Sequence, residues 1–263
     1  MVPTTEEDVK QLDSISEFYD ALASEYDAMT SFERRFVHEK PFFRVLVEKY
    51  KIRTALDAGC GTGFHSLLLA QLGVKMTAVD ISTEMLERVQ RHAKEMELSI
   101  STLRSSFQTL RSNTIGSYDA VVSLGNSLPH LLSLDDLRSA IVNFAAILKP
   151  GGVLFLQNLN YERILSRQER VQSVKEAGDT TFVRFYDYER PFLSFNILTI
   201  RRHGGDSVEQ LRTIRLRPIV SAELLPLLTE SGFVDIKTYG GITMEEFRPL
   251  EAKDLVILAR KPE

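Results

Sequence analysis

The stretch TALDAGCGTGFHSLLLA, Thr54 to Ala70, decides the fold. An apolar strand runs into a turn with glycine at alternate positions, Gly59, Gly61 and Gly63, and then into an apolar helix. Such a unit is where a nucleotide lies against bare backbone. A dinucleotide turn reads G-x-G-x-x-G, its third glycine letting the helix pack on the strand. Here the spacing is G-x-G-x-G, and Asp57 stands two residues ahead of the first glycine. A carboxylate there repels a pyrophosphate but accepts a hydrogen bond from an ammonium group. A second acid, Asp80, closes the next strand in MTAVDIS (76–82), where a ribose diol is commonly held. Two carboxylates suit a nucleoside carrying a cation better than one carrying phosphates.

On either side, the alternation of elements continues. Residues 8–50 space apolar side chains at helical intervals, and Pro41 is expected to open a helix at its first turn. Strands follow at 53–58, 75–80, near 99–104, at 118–124 and at 153–158, with helices at 64–72, 83–97 and 135–148 between them. LKPGG (148–152) reads as a turn. Strands alternating with helices predict a parallel sheet covered on both faces. After Tyr161 the pattern changes. TFVRFYDYE (181–189), FLSFNILTIRRH (192–203) and SVEQLRTIRLRPI (207–219) are strand-like, with HGGD (203–206) as a hairpin signal. This antiparallel material reads as an inserted lid. Helix 221–231 and strands 233–239 and 254–260 then return to the first sheet, the last two as a hairpin at its edge. The division expected is a helical cap (1–50), an α/β core (51–160), an antiparallel insertion (161–218) and a completion of the core (219–263).

The 263 residues suffice for a large core, and 43% hydrophobic with 26% charged residues is ordinary for a soluble globular protein. No apolar run approaches the ~20 residues of a membrane helix. The polar, acidic start MVPTTEEDVKQLDS resembles neither a signal peptide nor a transit sequence, so a cytoplasmic protein is expected. A net charge of −4 argues against charge-driven nucleic-acid binding. The lone Cys60 excludes an internal disulfide or Cys-rich zinc site, and five scattered histidines give no metal signal.

At these residues the sequence resembles the class I S-adenosylmethionine-dependent methyltransferases. LDAGCGTG (56–63) looks like their first motif, VDIS (79–82) their second, and LKPGG the turn before their fifth strand. For the glycines alone, an ordinary tight turn is the competing reading, and the other two motifs at their intervals weigh against it. The resemblance covers about residues 50–160 and the two closing strands. It implies a Rossmann-like α/β fold: a seven-stranded, mostly parallel sheet with helices on both faces, an N-terminal helical cap and an inserted antiparallel β lid. It further implies that S-adenosyl-L-methionine is the cofactor. Asp57, Gly59 and Gly61 would hold its methionine end, Asp80 its ribose, and Ile81 and Met85 its adenine. Ser106 and Phe107 in RSSFQTL (104–110) would meet the adenine amine, and Leu124 would border the cofactor at the end of the fourth strand. A core methionine is the competing reading of Met85, and a core aromatic that of Phe107.

The loop LGNSLPHL (124–131) resembles that of glycine N-methyltransferases and related small-molecule N-methyltransferases. NSLP lacks the fourth-place aromatic of base-methylating enzymes. The likeness extends to NLNYERIL (158–165), the lid, YDALASEYD (19–27) and RRFVHE (34–39). It implies that Arg35 pairs with the cofactor's carboxylate and that Tyr19 or Tyr26 closes over it. Where glycine-methylating enzymes carry a carboxylate-binding arginine, this chain has Leu159. Arg184, Arg190, Arg215 and Arg217 of the lid are alternatives, though strand arginines commonly form a solvated face. An amine acceptor must arrive neutral, which makes His130 the candidate proton acceptor, with Asn126 and Tyr161 orienting. A capped loop histidine is the competing reading of His130. His65 reads as packed, and His38, His92 and His203 as surface. The expected reaction is in-line methyl transfer to a small-molecule amine. O-methylation, RNA or protein methylation and plain nucleotide binding are the alternatives, and a homo-oligomer stays open.

Overall fold

Two helices lead the chain, α1 (Glu6–Thr30) and α2 (Phe32–Lys49). The structure, a computed structural model, describes residues 6–30, 32–114, 116–203 and 206–263, with the backbone alone at 7, 8 and 32–34. After the helices come β1 (Thr54–Ala58), α3 (Phe64–Gln71), β2 (Lys75–Asp80), α4 (Thr83–Glu95), β3 (Ile100–Arg104) and a short α5 (Leu110–Asn113). Next are β4 (Tyr118–Ser123), α6 (Leu134–Ile147), β5 (Leu148–Leu159) and α7 (Tyr161–Arg167). Four strands follow, β6 (Val171–Ala177), β7 (Thr180–Glu189), β8 (Phe192–His203) and β9 (Asp206–Leu216). The chain ends with α8 (Ser221–Glu230), β10 (Val234–Tyr239) and β11 (Asp254–Arg260).

The first sheet has seven strands in the order β10-β11-β5-β4-β1-β2-β3. β1 to β5 pair in parallel, and β11 runs antiparallel to β5 and β10, so the closing hairpin sits at the edge as expected. Period-2 alternation gives each face its own core. Leu56, Val121, Leu154 and Leu156 pack on one face against Leu137, Ile141 and Phe144 of α6 and Leu224 of α8. Ala55, Val122, Val153 and Phe155 pack on the other against Phe43 of α2, Leu67 and Leu68 of α3 and Val89 of α4. Each fully buried large apolar side chain contributes about 1.5–3 kcal/mol.

The second sheet is β6-β7-β8-β9, wholly antiparallel. Phe182, Ile197 and Ile214 from it enclose Phe18, Leu22 and Met29 of α1, while Tyr186 and Leu193 pack on Tyr161 and Ile164 of α7. In the hairpin between β8 and β9, Gly204 and Gly205 lie outside the described residues. So do residues 1–5 of the polar start.

Two local expectations are corrected. Pro41 lies inside α2 rather than at its start. The carbonyl that loses a partner belongs to Val37, whose side chain is 75% exposed, so the missing bond falls on the solvent face. LKPGG is part of β5: register jumps from Tyr118↔Leu148 to Ala120↔Val153, and the extra residues form a bulge with Gly151 at φ +71°. Two regular elements, α7 and β6, stand where the sequence reading assigned none.

Candidate active site

The cleft lies beyond the carboxyl ends of β1, β2, β3 and β4, the edge where open α/β sheets bind ligands. It encloses about 1020 Å3, its open mouth included. Its floor is Gly59 and Gly61 after β1, Asp80 and Ile81 after β2, Ser105 to Gln108 after β3 and Leu124 after β4. Its roof is Gln11, Leu12, Ile15, Tyr19 and Tyr26 of α1, and Arg35 of α2 stands at one end.

The glycine turn is held from beneath. The N–H groups of Gly59 and Cys60 donate to the carbonyl of Val79 at 2.8 and 2.9 Å. The N–H of Gly61 donates to Asp80 Oδ2 at 2.8 Å, and that of Ser82 to Oδ1 at 3.0 Å. Burial nevertheless pushes the Asp80 carboxyl up to about 6, because the N–H groups of Ser82, Gly61 and Ile81 compensate only in part and Asp57 adds repulsion. Each oxygen keeps a lone pair beyond its backbone donor, and Asp80 is on the cleft wall. That acceptor set matches the two donors of a ribose diol. Above Gly61, the Tyr26 ring would stand 3.7 Å from an added Cβ, so bare backbone forms the wall there. This acceptor pair and the glycine wall fit S-adenosylmethionine.

At the α2 end, the Arg35 guanidinium lies 4.1 Å over the Phe64 ring, and its Nε donates to Glu39 Oε1 at 2.8 Å. Glu39 Oε2 also meets His65 Nε2 at 3.1 Å. At the α1 end, the Tyr19 hydroxyl meets His130 Nε2 at 2.8 Å, and Gln11 Nε2 donates to the His130 carbonyl at 2.8 Å. Burial lowers His130 to about 4, so the imidazole is neutral at physiological pH. Its Nδ1 is buried with no hydrogen-bond partner among the described residues.

Of the residues singled out in the sequence, the structure brings Tyr26, Arg35, Gly59, Gly61, Asp80, Ile81, Ser106, Phe107, Leu124 and His130 to this one cleft. Phe107 also packs edge-on against Phe144 at 5.7 Å, so it joins cleft and core. Four others are elsewhere. Asp57 is 1% exposed and accepts the Ser66 hydroxyl at 2.7 Å, holding the first turn of α3 instead of facing the cleft. Met85 is fully buried off the cleft wall. Asn126, at φ +69°, donates from Nδ2 to the Tyr161 hydroxyl at 3.0 Å and accepts from the Leu159 N–H at 3.0 Å. Asn126 and Tyr161 therefore brace the loop after β4 from behind. The lid arginines are also off the wall. Arg184 donates to Ser173, Arg215 lies over Phe192 and Arg217 pairs with Glu223. His92, read as surface, is corrected: it bridges Asp27 of α1 at 3.2 Å and the Thr62 carbonyl at 3.1 Å. Glu39 and Gln11 were missed. The spacing of Arg35 and Glu39, one helical turn apart, is the signal that could have found the first.

A sheet of this order, parallel but for β11, with an acid at the end of β2 and a glycine turn after β1, defines a class I S-adenosylmethionine-dependent methyltransferase. Residues 55–152 match the methyltransferase domain family. The chain is 30% identical over 236 residues to a glycine/sarcosine N-methyltransferase of Aphanothece halophytica, covering 86% of this chain and 83% of the relative. It is 32% identical over 235 residues to a glycine/sarcosine N-methyltransferase of Parasynechococcus marenigrum, covering 89% and 82%. Among solved structures, an S-adenosylmethionine-dependent methyltransferase of Clostridium acetobutylicum superposes with a TM-score of 0.80 at 16% identity, covering 93% of this chain and 99% of that one. The chain belongs to the small-molecule N-methyltransferase family that the glycine/sarcosine N-methyltransferases represent. Its methyl donor is S-adenosylmethionine. Among the described residues, no helix is long and apolar enough to cross a membrane.

Proposed function

We propose that the acceptor is a small primary or secondary amine whose nitrogen is received at the Tyr19–His130 end of the cleft, while Arg35 and Asp80 hold the donor's carboxylate and ribose. S-adenosylmethionine supplies a methyl group on a sulfonium, open to in-line displacement by a nitrogen lone pair. The chain's own share is positioning and exclusion of water. Ile81 and Phe107 offer apolar surface to the adenine, and Tyr26 covers the glycine wall.

The observation that carries this reading is the pair of rings at the roof. A neutral imidazole accepts from a neutral amine, whereas an imidazolium would repel the cationic donor. With Tyr19 donating to Nε2, Nδ1 bears the proton; with Nε2–H donating to Tyr19, Nδ1 offers a lone pair. Burial of the cleft likewise favours the uncharged amine over ammonium. An imidazole near 4 is a weak proton store, so His130 orients the nitrogen more than it strips it. Relatives named for glycine and sarcosine support an amine acceptor. Among the described residues, however, Arg35 is the only arginine or lysine on the cleft wall. Amines without a neighbouring carboxylate therefore belong in the acceptor screen beside glycine and sarcosine.

Release of S-adenosylhomocysteine, followed across glycine, sarcosine, simple amines and phenols, tests the assignment. Turnover with amines is expected, and turnover with phenols alone would overturn it. With the acceptor found, His130→Ala should lower kcat by about 10- to 100-fold, the range of a lost orienting group, with donor affinity changed less than about threefold.

A further inference from the structure

Glu39 touches no part of the cleft, yet it joins two residues that do. It is 9% exposed on α2, between Arg35 four residues earlier and His65 on the first turn of α3. Burial pushes its carboxyl up, but hydrogen bonds and charge from His65 and Arg35 outweigh this and hold it below the ordinary carboxylate range. The bond from Arg35 uses Nε, the inner edge of the fork, and the face of the guanidinium is occupied by Phe64 at 4.1 Å. Edge and face are thus both fixed, and the fork's terminal nitrogens, which donate no hydrogen bond among the described residues, remain for a planar anion. His65 is fixed as well, edge-on to Phe64 at 4.8 Å and near Phe43 at 5.4 Å. Its bond to Glu39 ties α2 to the helix that the glycine turn starts.

We propose that Glu39 is a positioning residue for the methyl donor, setting Arg35 and the first turn of α3 in register for the carboxylate of the methionine end. This rests on the reading that Arg35 meets that carboxylate. An unbraced arginine would have to be ordered at each binding event, at a cost in side-chain entropy. A carboxylate beside a guanidinium also offsets part of its charge. Glu39 therefore gives geometry at some expense of attraction, and a lysine at position 35 would not reproduce the braced fork.

The test compares two ligands by calorimetry on the full chain. S-adenosylhomocysteine carries the amino-acid end; 5′-methylthioadenosine has the same nucleoside and thioether without it. Glu39→Ala should weaken the first by about tenfold and leave the second within about twofold. Retained binding of methylthioadenosine shows that the variant is folded. If Glu39→Ala binds neither ligand, Glu39→Gln is judged by the same two affinities. Equal losses for both ligands would mean that Glu39 only supports the fold, and no loss for either would mean that Arg35 needs no brace; each overturns the proposal. Arg35→Ala separates the levels. If it weakens S-adenosylhomocysteine selectively while Glu39→Ala does not, the brace alone is wrong. If Arg35→Ala has no selective effect, the assignment of Arg35 to the carboxylate fails.

Discussion

Asp80→Ala is expected to lower affinity for S-adenosylmethionine by about 100-fold or more. Two hydroxyl donors to one carboxylate, at roughly 1.5–3 kcal/mol each, account for that loss. Calorimetry with unchanged affinity would remove Asp80 from the site. The same residue has a signature in the ligand-free protein. Its carboxyl is raised from 3.8 to about 6, chiefly by burial. Between those values the folded chain binds more protons than the unfolded one. Its contribution to stability therefore falls as pH rises through that window, and the charged form costs the free protein about 3 kcal/mol above it. Relative to the wild type, Asp80→Ala should gain stability as pH rises from about 4 to about 6 and hold that gain above it, even as it loses the ligand. Donor affinity of the wild type should fall at pH below about 6, where the protonated carboxyl has less to offer a diol. Melting curves and titrations on both sides of that pH measure the two effects.

Gly63→Ala should destabilise the whole domain by about 2–5 kcal/mol. Gly63 precedes α3 at φ +89°, in the left-handed region, which costs a residue with a Cβ roughly 1–2 kcal/mol. The added carbon would also lie 2.9 Å from Val89 Cγ2 and 3.1 Å from Cγ1, inside the core between α3 and α4. Overpacking of this kind adds about 1–3 kcal/mol. Denaturant unfolding should show the loss without ligand present. Gly61→Ala provides the contrast. Its nearest neighbour is the Tyr26 ring at 3.7 Å, so the fold should survive with little more than the backbone strain of φ +54°. The new methyl would instead occupy the cleft wall, and donor affinity should fall. Equal stabilities for the two variants would contradict this division of labour.

The parallel sheet was legible because its strands are buried runs and its turns carry their own signals. Ser82 and Ser133 accept the N–H groups of Met85 and Asp136 at 3.0 Å, as start signals for α4 and α6. β6 escaped because it is a partly exposed edge strand, with no buried face to impose alternation. That Gly59, Gly61, Asp80 and Leu124 would line one cleft was legible because a ligand edge collects strand ends, and strand ends are countable. Asp57 was misplaced by side-chain parity. Leu56 and Ala58 face α6, so the residue between them turns toward α3 and Ser66. The bonds from Glu39 to His65 and from Tyr19 to His130 join residues 26 and 111 positions apart, and no local spacing announces them. The same holds for His92, whose partner Asp27 is on another helix.

Helix α1 makes polar contacts in four directions. Gln11 and Tyr19 hold His130, Asp20 accepts the Ser82 hydroxyl at 2.5 Å beside Asp80, Asp27 meets His92, and Glu25 pairs with Arg201 and Arg212 of the antiparallel sheet. The cleft acid Asp80, the Tyr19–His130 pair and the antiparallel sheet thus share one rod. Ligands that close the cleft against α1 are therefore expected to be linked: one that favours the seated helix favours all four attachments, and the effect of either ligand on the other's affinity is reciprocal. Donor binding is then expected to raise affinity at the Tyr19–His130 end, which titrations of one ligand in the presence of the other measure.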